Sequence, residues 1–390
     1  MKKYNFDKTI DRRVTYSFRW NVKDGDLPLN IADMDFEVLP EIKEAIKKRS
    51  ELDCYGYIDT PKEYFEAYVC WWKERHNLSL DRNWFLFSSS VVGSIDTVLK
   101  HLLKENDQVV MFTPIYNVFY NCIKNNGLVL KECELIYKDN EYKIDWDKFE
   151  KSILDKKTKA FIFCNPHNPV GRGFSLEEIN RIINLCKKNN VYLISDEIHC
   201  DIDYNKSKYV SIFHSEYSTY KKIILLISPT KIFNIAGLQT SSLVIKDELL
   251  RQTVQNALYE EDIGEPNYFA VDPVIAAFTH GKQYVVELND YLCENLEFLH
   301  KFFNKFLPNL KIIPIHYTYL LWIDISYYKL KSVEFASRLK NKTGLIVAPG
   351  KNYGENGDNF IRLNIATQRK NIEDACNRLF DFFKELDGEK

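Results

Sequence analysis

Ser228-Pro229-Thr230-Lys231-Ile232-Phe233-Asn234-Ile235-Ala236-Gly237 follows directly on the apolar run Ile223-Ile224-Leu225-Leu226-Ile227. A run of that length and β-branched content predicts a fully buried strand. Lys231 then stands just past a strand end, with the small hydroxyl residue Ser228 upstream and apolar residues downstream. Desolvation at such a place disfavours the ammonium form and lowers the amine's pKa. An unprotonated amine is what a Schiff base needs. Taken alone, the stretch reads more readily as a loop lysine flanking a strand, so its neighbours decide.

Working outward, the same grammar repeats. Val191-Tyr192-Leu193-Ile194 predicts a strand that ends in Ser195-Asp196-Glu197-Ile198-His199. Lys159 to Cys164 predicts another, running into Asn165-Pro166-His167-Asn168-Pro169-Val170-Gly171, a polar loop stiffened by two Asn-Pro steps. Strands are also expected over Leu128 to Leu135, and over Gln108 to Thr113 with Pro114-Ile115-Tyr116 at its end. Phe85-Leu86-Phe87 leads through Ser88-Ser89-Ser90-Val91-Val92-Gly93-Ser94 into a helix over Ile95 to Leu103. A strand ending in small residues at a helix start offers free N–H groups and a positive dipole end, which suits a phosphate. An ordinary serine N-cap gives the same pattern. The helix Leu176 to Lys188 carries a capping box in Ser175 and Glu178, and buries Ile179, Ile182, Ile183 and Cys186 on one face.

Strand and helix thus alternate from about residue 85 to 245, which predicts an α/β unit with a mainly parallel sheet covered on both faces. Ligands of such sheets bind beyond the carboxyl ends of the strands. The polar groups just named all lie there.

The flanks read differently. Residues up to Pro40 show little periodicity and contain Ile31-Ala32-Asp33-Met34-Asp35-Phe36; helices are expected over Pro40 to Lys48 and Tyr64 to His76. Leu288, Leu292, Leu296, Leu299, Phe303 and Phe306 describe a long amphipathic helix from Tyr284 to Phe306. Beyond it come expected strands over Lys311 to Ser326, Leu345 to Ala348 and Asn359 to Ile365. Helices are expected over Ser332 to Lys340 and Ile372 to Leu386. This is a smaller α+β unit to which the N-terminal segment is expected to return. The division is an arm over 1–45, a large domain over 46–285 and a small domain over 286–390.

Composition narrows the class. The 390 residues are 45% hydrophobic with a formal net charge of −2, which gives no field for nucleic acid or an acidic membrane. Met1-Lys2-Lys3-Tyr4-Asn5-Phe6 lacks the apolar core of a signal peptide, and no stretch has the apolar length of a membrane span. Nine dispersed cysteines without a C-x-x-C pair are expected to be small buried hydrophobes in a reducing cytoplasm.

Together the polar residues fit one cofactor. Pyridoxal phosphate asks for a lysine, a carboxylate for its pyridine nitrogen, and donors for its phosphate and ring hydroxyl. Lys231 is the lysine candidate. Asp196, about one strand–helix–strand unit earlier, is the carboxylate candidate. Asn168 offers an amide to the ring oxygen, Ser228 and the Ser90-Val91-Val92 amides suit the phosphate, and Tyr116 suits the ring face.

On these motifs the chain resembles the fold-type-I pyridoxal-phosphate enzymes of the aspartate aminotransferase superfamily. Within it the chain looks most like the cystathionine β-lyase and C–S lyase branch, including the maltose-regulon modulator type. The resemblance runs from Ala32-Asp33-Met34-Asp35-Phe36 through Tyr55-Gly56-Tyr57 to Asn359-Phe360-Ile361-Arg362-Leu363-Asn364-Ile365-Ala366. It implies a seven-stranded, mostly parallel sheet between helices. It also implies Lys231 as the lysine that bonds the cofactor, Asp196 at the pyridine nitrogen, Asn168 at the ring hydroxyl, and Arg362 as the grip on a substrate carboxylate. Tyr57 is similar to a tyrosine that reaches the neighbouring subunit's cofactor, which implies a homodimer with sites at the subunit interface. His199 stands where aminotransferases usually have tyrosine, which tilts the reading to the lyases. Ser90 replaces a frequent glycine, and Gln239 a frequent arginine, near the phosphate. The implied activity is α,β-elimination on a sulfur-containing amino acid, and no metal is called for. An aminotransferase on the same site, and a regulatory binding protein that keeps the fold, are the alternatives.

Overall fold

The computed structural model describes residues 3–204 and 209–388; Met1 and Lys2 of the N-terminal segment and the last two residues of the C-terminal unit lie outside them. Seven strands form the large sheet: β1 (Phe85–Ser88), β2 (Gln108–Thr113), β3 (Val129–Glu134), β4 (Thr158–Cys164), β5 (Tyr192–Asp196), β6 (Ile223–Ile227) and β7 (Ser241–Val244). Their order is β1-β7-β6-β5-β4-β2-β3. The five strands from β6 to β3 are parallel, and β7 runs antiparallel to both its neighbours. The expected mostly parallel sheet is therefore present. β7 escaped the sequence reading because Ser241-Ser242-Leu243-Val244 is short and half hydroxylic.

The apolar runs are continuous because successive side chains enter different cores. In β6, Ile223, Leu225 and Ile227 belong to one cluster while Ile224 and Leu226 belong to the other. The second cluster is closed by the helix Val91–Leu102, through Val91, Ile95, Val98 and Leu99. That helix begins four residues before the expected Ile95, because the Ser90 hydroxyl accepts the Gly93 N–H at 2.9 Å and caps it there. The helix Leu176–Lys188 has the expected bounds and capping box and closes the first cluster.

The small unit is a four-stranded antiparallel sheet in the order Lys311–Ile312, Leu320–Asp324, Phe360–Asn364, Ala348–Pro349. Arg362 thus lies on an interior strand. The strand expected over Leu345 to Ala348 is divided: Leu345–Ile346 leaves this sheet and pairs in parallel with Leu27–Pro28. The N-terminal segment does return to the small unit. The cysteine expectation needs correcting, since Cys54 and Cys70 are exposed. Among the described residues no helix is long and apolar enough to cross a membrane.

The segment Asn30 to Glu37 has no strand partner, yet its carbonyls need donors. Side chains supply them one after another. Asn30 O accepts from Arg362 Nη2, and Ile31 O from Asn364 Nδ2. Ala32 O accepts from Lys231 Nζ and the Tyr319 hydroxyl. Arg19 and Asn364 donate to Asp33 O, and Arg12 and Asn234 to Met34 O. Gln368 donates to Asp35 O, Asn234 to Phe36 O, and the Tyr284 hydroxyl to Glu37 O. This strap crosses between the two units. Arg12 and the fully buried Arg19 also pair with the carboxylates of Asp33 and Asp35.

Asn364→Ala strips donors from two strap carbonyls and orphans the Ala366 N–H that its Oδ1 accepts. The expected loss is about 2–4 kcal/mol in denaturant unfolding. A change within experimental error would show that Asn364 does not hold the strap.

Candidate active site

The carboxyl ends of β4, β5 and β6 and the start of the helix after β1 surround a cavity of 250 Å³. Lys231, four residues beyond β6, projects its amine into it and donates to Ala32 O at 2.8 Å. Burial lowers the Lys231 pKa to about 8; Asp33 opposes this, Arg362 reinforces it, and Asp196 opposes it. The depressed amine expected from the sequence is present.

Asp196 is the last residue of β5. Burial raises its carboxyl to about 6, against the Ile198 N–H that it accepts at 3.1 Å and the charge of Lys231. A cationic ring nitrogen placed beside it would return it to the ionised form. His199, one turn later, is buried and its Nδ1 has no partner. Burial, then the charges of Lys231 and Arg362, push its pKa down to about 3, so the imidazole is neutral.

Asn168 and Tyr116 line the same cavity, Asn168 buried and Tyr116 half-buried. Arg362 sits behind Asn168, donating from Nη1 to Asn168 Oδ1 at 3.2 Å and from Nη2 to Asn30 O at 2.9 Å. Its guanidinium carbon lies 4.7 Å from the centre of the Tyr353 ring. Its Nε is buried without a partner, although Arg362 is almost wholly enclosed. An unpaired donor on a buried cation is costly unless an acceptor joins it.

At the opposite end, Ser90, Val91 and Val92 open the helix, so the Val91 and Val92 amides fall among the N–H groups a helix leaves unpaired. Ser90 is extended at φ −159°, a conformation that any residue adopts, so the frequent glycine is not needed there. The Ser228 hydroxyl donates to Thr240 O at 2.7 Å and meets the Thr230 hydroxyl at 2.7 Å. To donate to a phosphate, Ser228 must release Thr240. Gln239 lines this end with a left-handed backbone at φ 50°.

Tyr57 is not part of this cavity in its own chain; its ring is fully exposed. Residues Glu260 to Phe269, a stretch that includes Tyr268 and Phe269, pack those two rings against Tyr55 at 5.1 and 5.6 Å. Sequence reasoning missed Thr230, Tyr319 and Tyr353. Thr230 was legible, since it precedes Lys231 directly. The two tyrosines arrive from distant strands and loops with no local signal.

The wall chemistry fits pyridoxal phosphate: an amine, a carboxylate, an amide, an aromatic face, and hydroxyls with helix amides at the far end. The unpaired His199 Nδ1 belongs to a residue of the cavity lining, which such occupancy leaves room to satisfy; Arg362, whose Nε is also unpaired, lies outside the lining and reaches it through Asn168. A different grouping, His76, Cys200 and Asp201, has metal-ligand geometry. Its carboxylate is already taken by Arg75 at 2.8 Å and by the Trp71 indole, which makes it an ion-pair lock.

Residues 25–379 match the family described as aminotransferase class I and II. The chain belongs to that family. Within reach of this aminotransferase-family chain is cystathionine beta-lyase PatB of Bacillus subtilis, 34% identical over 96% of this chain and 98% of that protein. Protein MalY of Escherichia coli is 28% identical over 98% of this chain and all of its own. A solved structure, the PLP-bound C–S lyase from Staphylococcus hominis, superposes with a TM-score of 0.91 at 31% identity, covering 97% of this chain and 98% of that one.

A buried lysine with a lowered pKa weakens the fold below that pKa. Between about 8 and the unfolded value of 10.5 the unfolded chain holds a proton that the native one lacks, so stability rises with pH. Lys231→Met should therefore stabilise the cofactor-free protein at neutral pH by about 1–3 kcal/mol. The gain should shrink as pH climbs through that window in urea titrations. A pH-independent difference would show that the amine is not desolvated.

Proposed function

We propose that the protein is a pyridoxal-phosphate-dependent carbon–sulfur lyase of the cystathionine β-lyase or cysteine-S-conjugate β-lyase type. It converts a sulfur-substituted amino acid and water to a thiol, pyruvate and ammonia. The observation that carries this reading is a desolvated amine (Lys231) sharing a cavity with Asn168, whose amide in turn accepts from an arginine (Arg362) with an unpaired Nε. The similarity to PatB and to the Staphylococcus hominis lyase supports the substrate class.

Bound pyridoxal phosphate supplies an electron sink that makes the substrate's Cα proton acidic. The residues supply the rest. Lys231 would hold the cofactor through its aldehyde and, when free, would be the base for the Cα proton. Asp196 holds positive charge on the ring nitrogen. Asn168 and the neutral His199 address the ring oxygen's side, and Tyr116 covers the ring face. Ser90, Val91, Val92 and Ser228 receive the phosphate. Arg362 would take the α-carboxylate and so orient the substrate's Cα.

The large domain over 46–285 holds the cofactor in this reading, and the arm over 1–45 with the small domain over 286–390 closes the substrate side. The enzyme works in the cytoplasm as a homodimer. Tyr57 reaches the neighbouring site, a placement supported by its exposure together with that of Tyr16 and Phe18. Transamination is the second reading, favoured by the family's description. It uses the same residues but requires a keto acid, and His199 in place of tyrosine weighs against it.

L-Cystathionine without any keto acid should yield pyruvate, ammonia and thiol in equal amounts. Lys231→Ala should cut the rate by at least about 10²–10⁴-fold, and Arg362→Lys should raise KM by about 10–100-fold. Product formation only on adding a keto acid would shift the assignment to transamination. Light scattering should give about twice the chain mass of 46.0 kDa; a monomer that is fully active would remove the role given to Tyr57.

A further inference from the structure

The Ala32 carbonyl lines the cavity and accepts from two side chains, Lys231 Nζ at 2.8 Å and the Tyr319 hydroxyl at 3.1 Å. Tyr319 is fully buried, immediately before the small-sheet strand Leu320–Asp324, with its ring 6.2 Å from that of His199. Burial raises the phenol's pKa, and the charge of Asp33 raises it further. Tyr319 therefore stays neutral with one proton to give, and that proton goes to the strap.

We propose that Tyr319 is a positioning residue for Lys231, acting through the Ala32 carbonyl that the two side chains share. The inference deepens the reading of Lys231 as the amine that bonds the cofactor. A carbonyl that accepts an ammonium group favours the charged form of that amine. A carbonyl already engaged by a phenol is a weaker acceptor. Sharing thus keeps the amine aimed into the cavity while lessening the preference for the ammonium. The strap holds that carbonyl still from both sides, since Ile31 O and Asp33 O are gripped by Asn364.

The groups that face the amine are Asp33 on the strap, Asp196 at the end of β5, His199 in the following turn, and Arg362 on the small sheet. Asp33 is itself held by Arg12 and Arg19.

The test reads the amine itself. Full-length protein freed of any bound aldehyde with hydroxylamine is labelled with trace acetic anhydride over a pH series, and acetylation at Lys231 is measured by mass spectrometry. The wild-type profile should be half-maximal near about 8. Tyr319→Phe should move the profile to higher pH and reduce labelling at pH ~7 by about 3- to 10-fold. Replacing Tyr319 by 3-fluorotyrosine, nearly isosteric with a stronger donor hydroxyl, should move it to lower pH. If Tyr319→Phe fails to fold by circular dichroism, the fluorotyrosine protein decides alone. An unchanged profile, or a shift of opposite sign, overturns the proposal; a merely structural tyrosine has no reason to move the profile in both directions. Borohydride fixation of pyridoxal phosphate is scored separately on the wild type. A wild-type chain that acetylates as expected but fixes none at Lys231 refutes the cofactor reading and leaves the phenol's role supported.

Discussion

Eight successive carbonyls, from Asn30 to Glu37, cross the molecule without a strand to pair with, and this constraint shapes the site. Each buried carbonyl needs a donor. The chain answers with side chains from the large unit (Lys231, Asn234), the long helix (Tyr284), the small unit (Tyr319, Arg362, Asn364, Gln368) and the arm itself (Arg12, Arg19). Two of those donors, Lys231 and Arg362, are the groups assigned to the chemistry. The amine and the guanidinium are therefore registered against the same short backbone, two residues apart. Packing of the two units and geometry of the site are one problem with one solution.

The large sheet was legible because its information is local. Buried parallel strands must be apolar on both faces, and the first polar residues after each run mark its carboxyl end. Asp196, Asn168 and Lys231 were found that way, and all three line one cavity. The strap was visible as a motif, Ile31 to Phe36, but not as a structure, since none of its partners lies within it. Tyr319 and Tyr353 were invisible for the same reason: an aromatic residue beside a strand looks like core until the residue opposite it is known. Arg362 came from resemblance, and its interior strand explains the absence of a local signal, because pairing on both sides is a tertiary fact.

The site is built from groups that a stable core avoids. Lys231, Asp196 and His199 all have their charged forms disfavoured by burial. Thr113, Asn165 and His199 also leave buried polar atoms unpaired at or near strand ends. Such groups cost stability, and the meeting of Lys231, Asp196 and His199 in one cavity is what separates a functional site from a packing fault. The Asp201 cluster is the contrast within the same chain. It is equally buried and polar, but Arg75, His76 and Trp71 satisfy its carboxylate, which is held below its usual pKa by His76 and Arg75 against burial.

Arg362 shows why the arrangement is directional. Nη1 is spent on Asn168 and Nη2 bonds the strap, while the plane rests over Tyr353. Three separate segments thus fix its rotation, leaving Nε as the unpaired edge. A carboxylate approaching that edge meets a guanidinium that cannot swivel to follow it. A ligand bound there would have to adopt the arginine's geometry, and Asn168, which lines the cavity, joins the arginine to its wall. On the assignment proposed for Arg362, orientation of a substrate's Cα would be set by the protein before any bond is broken, which is where an enzyme sharing its fold with transaminases would select one reaction over another.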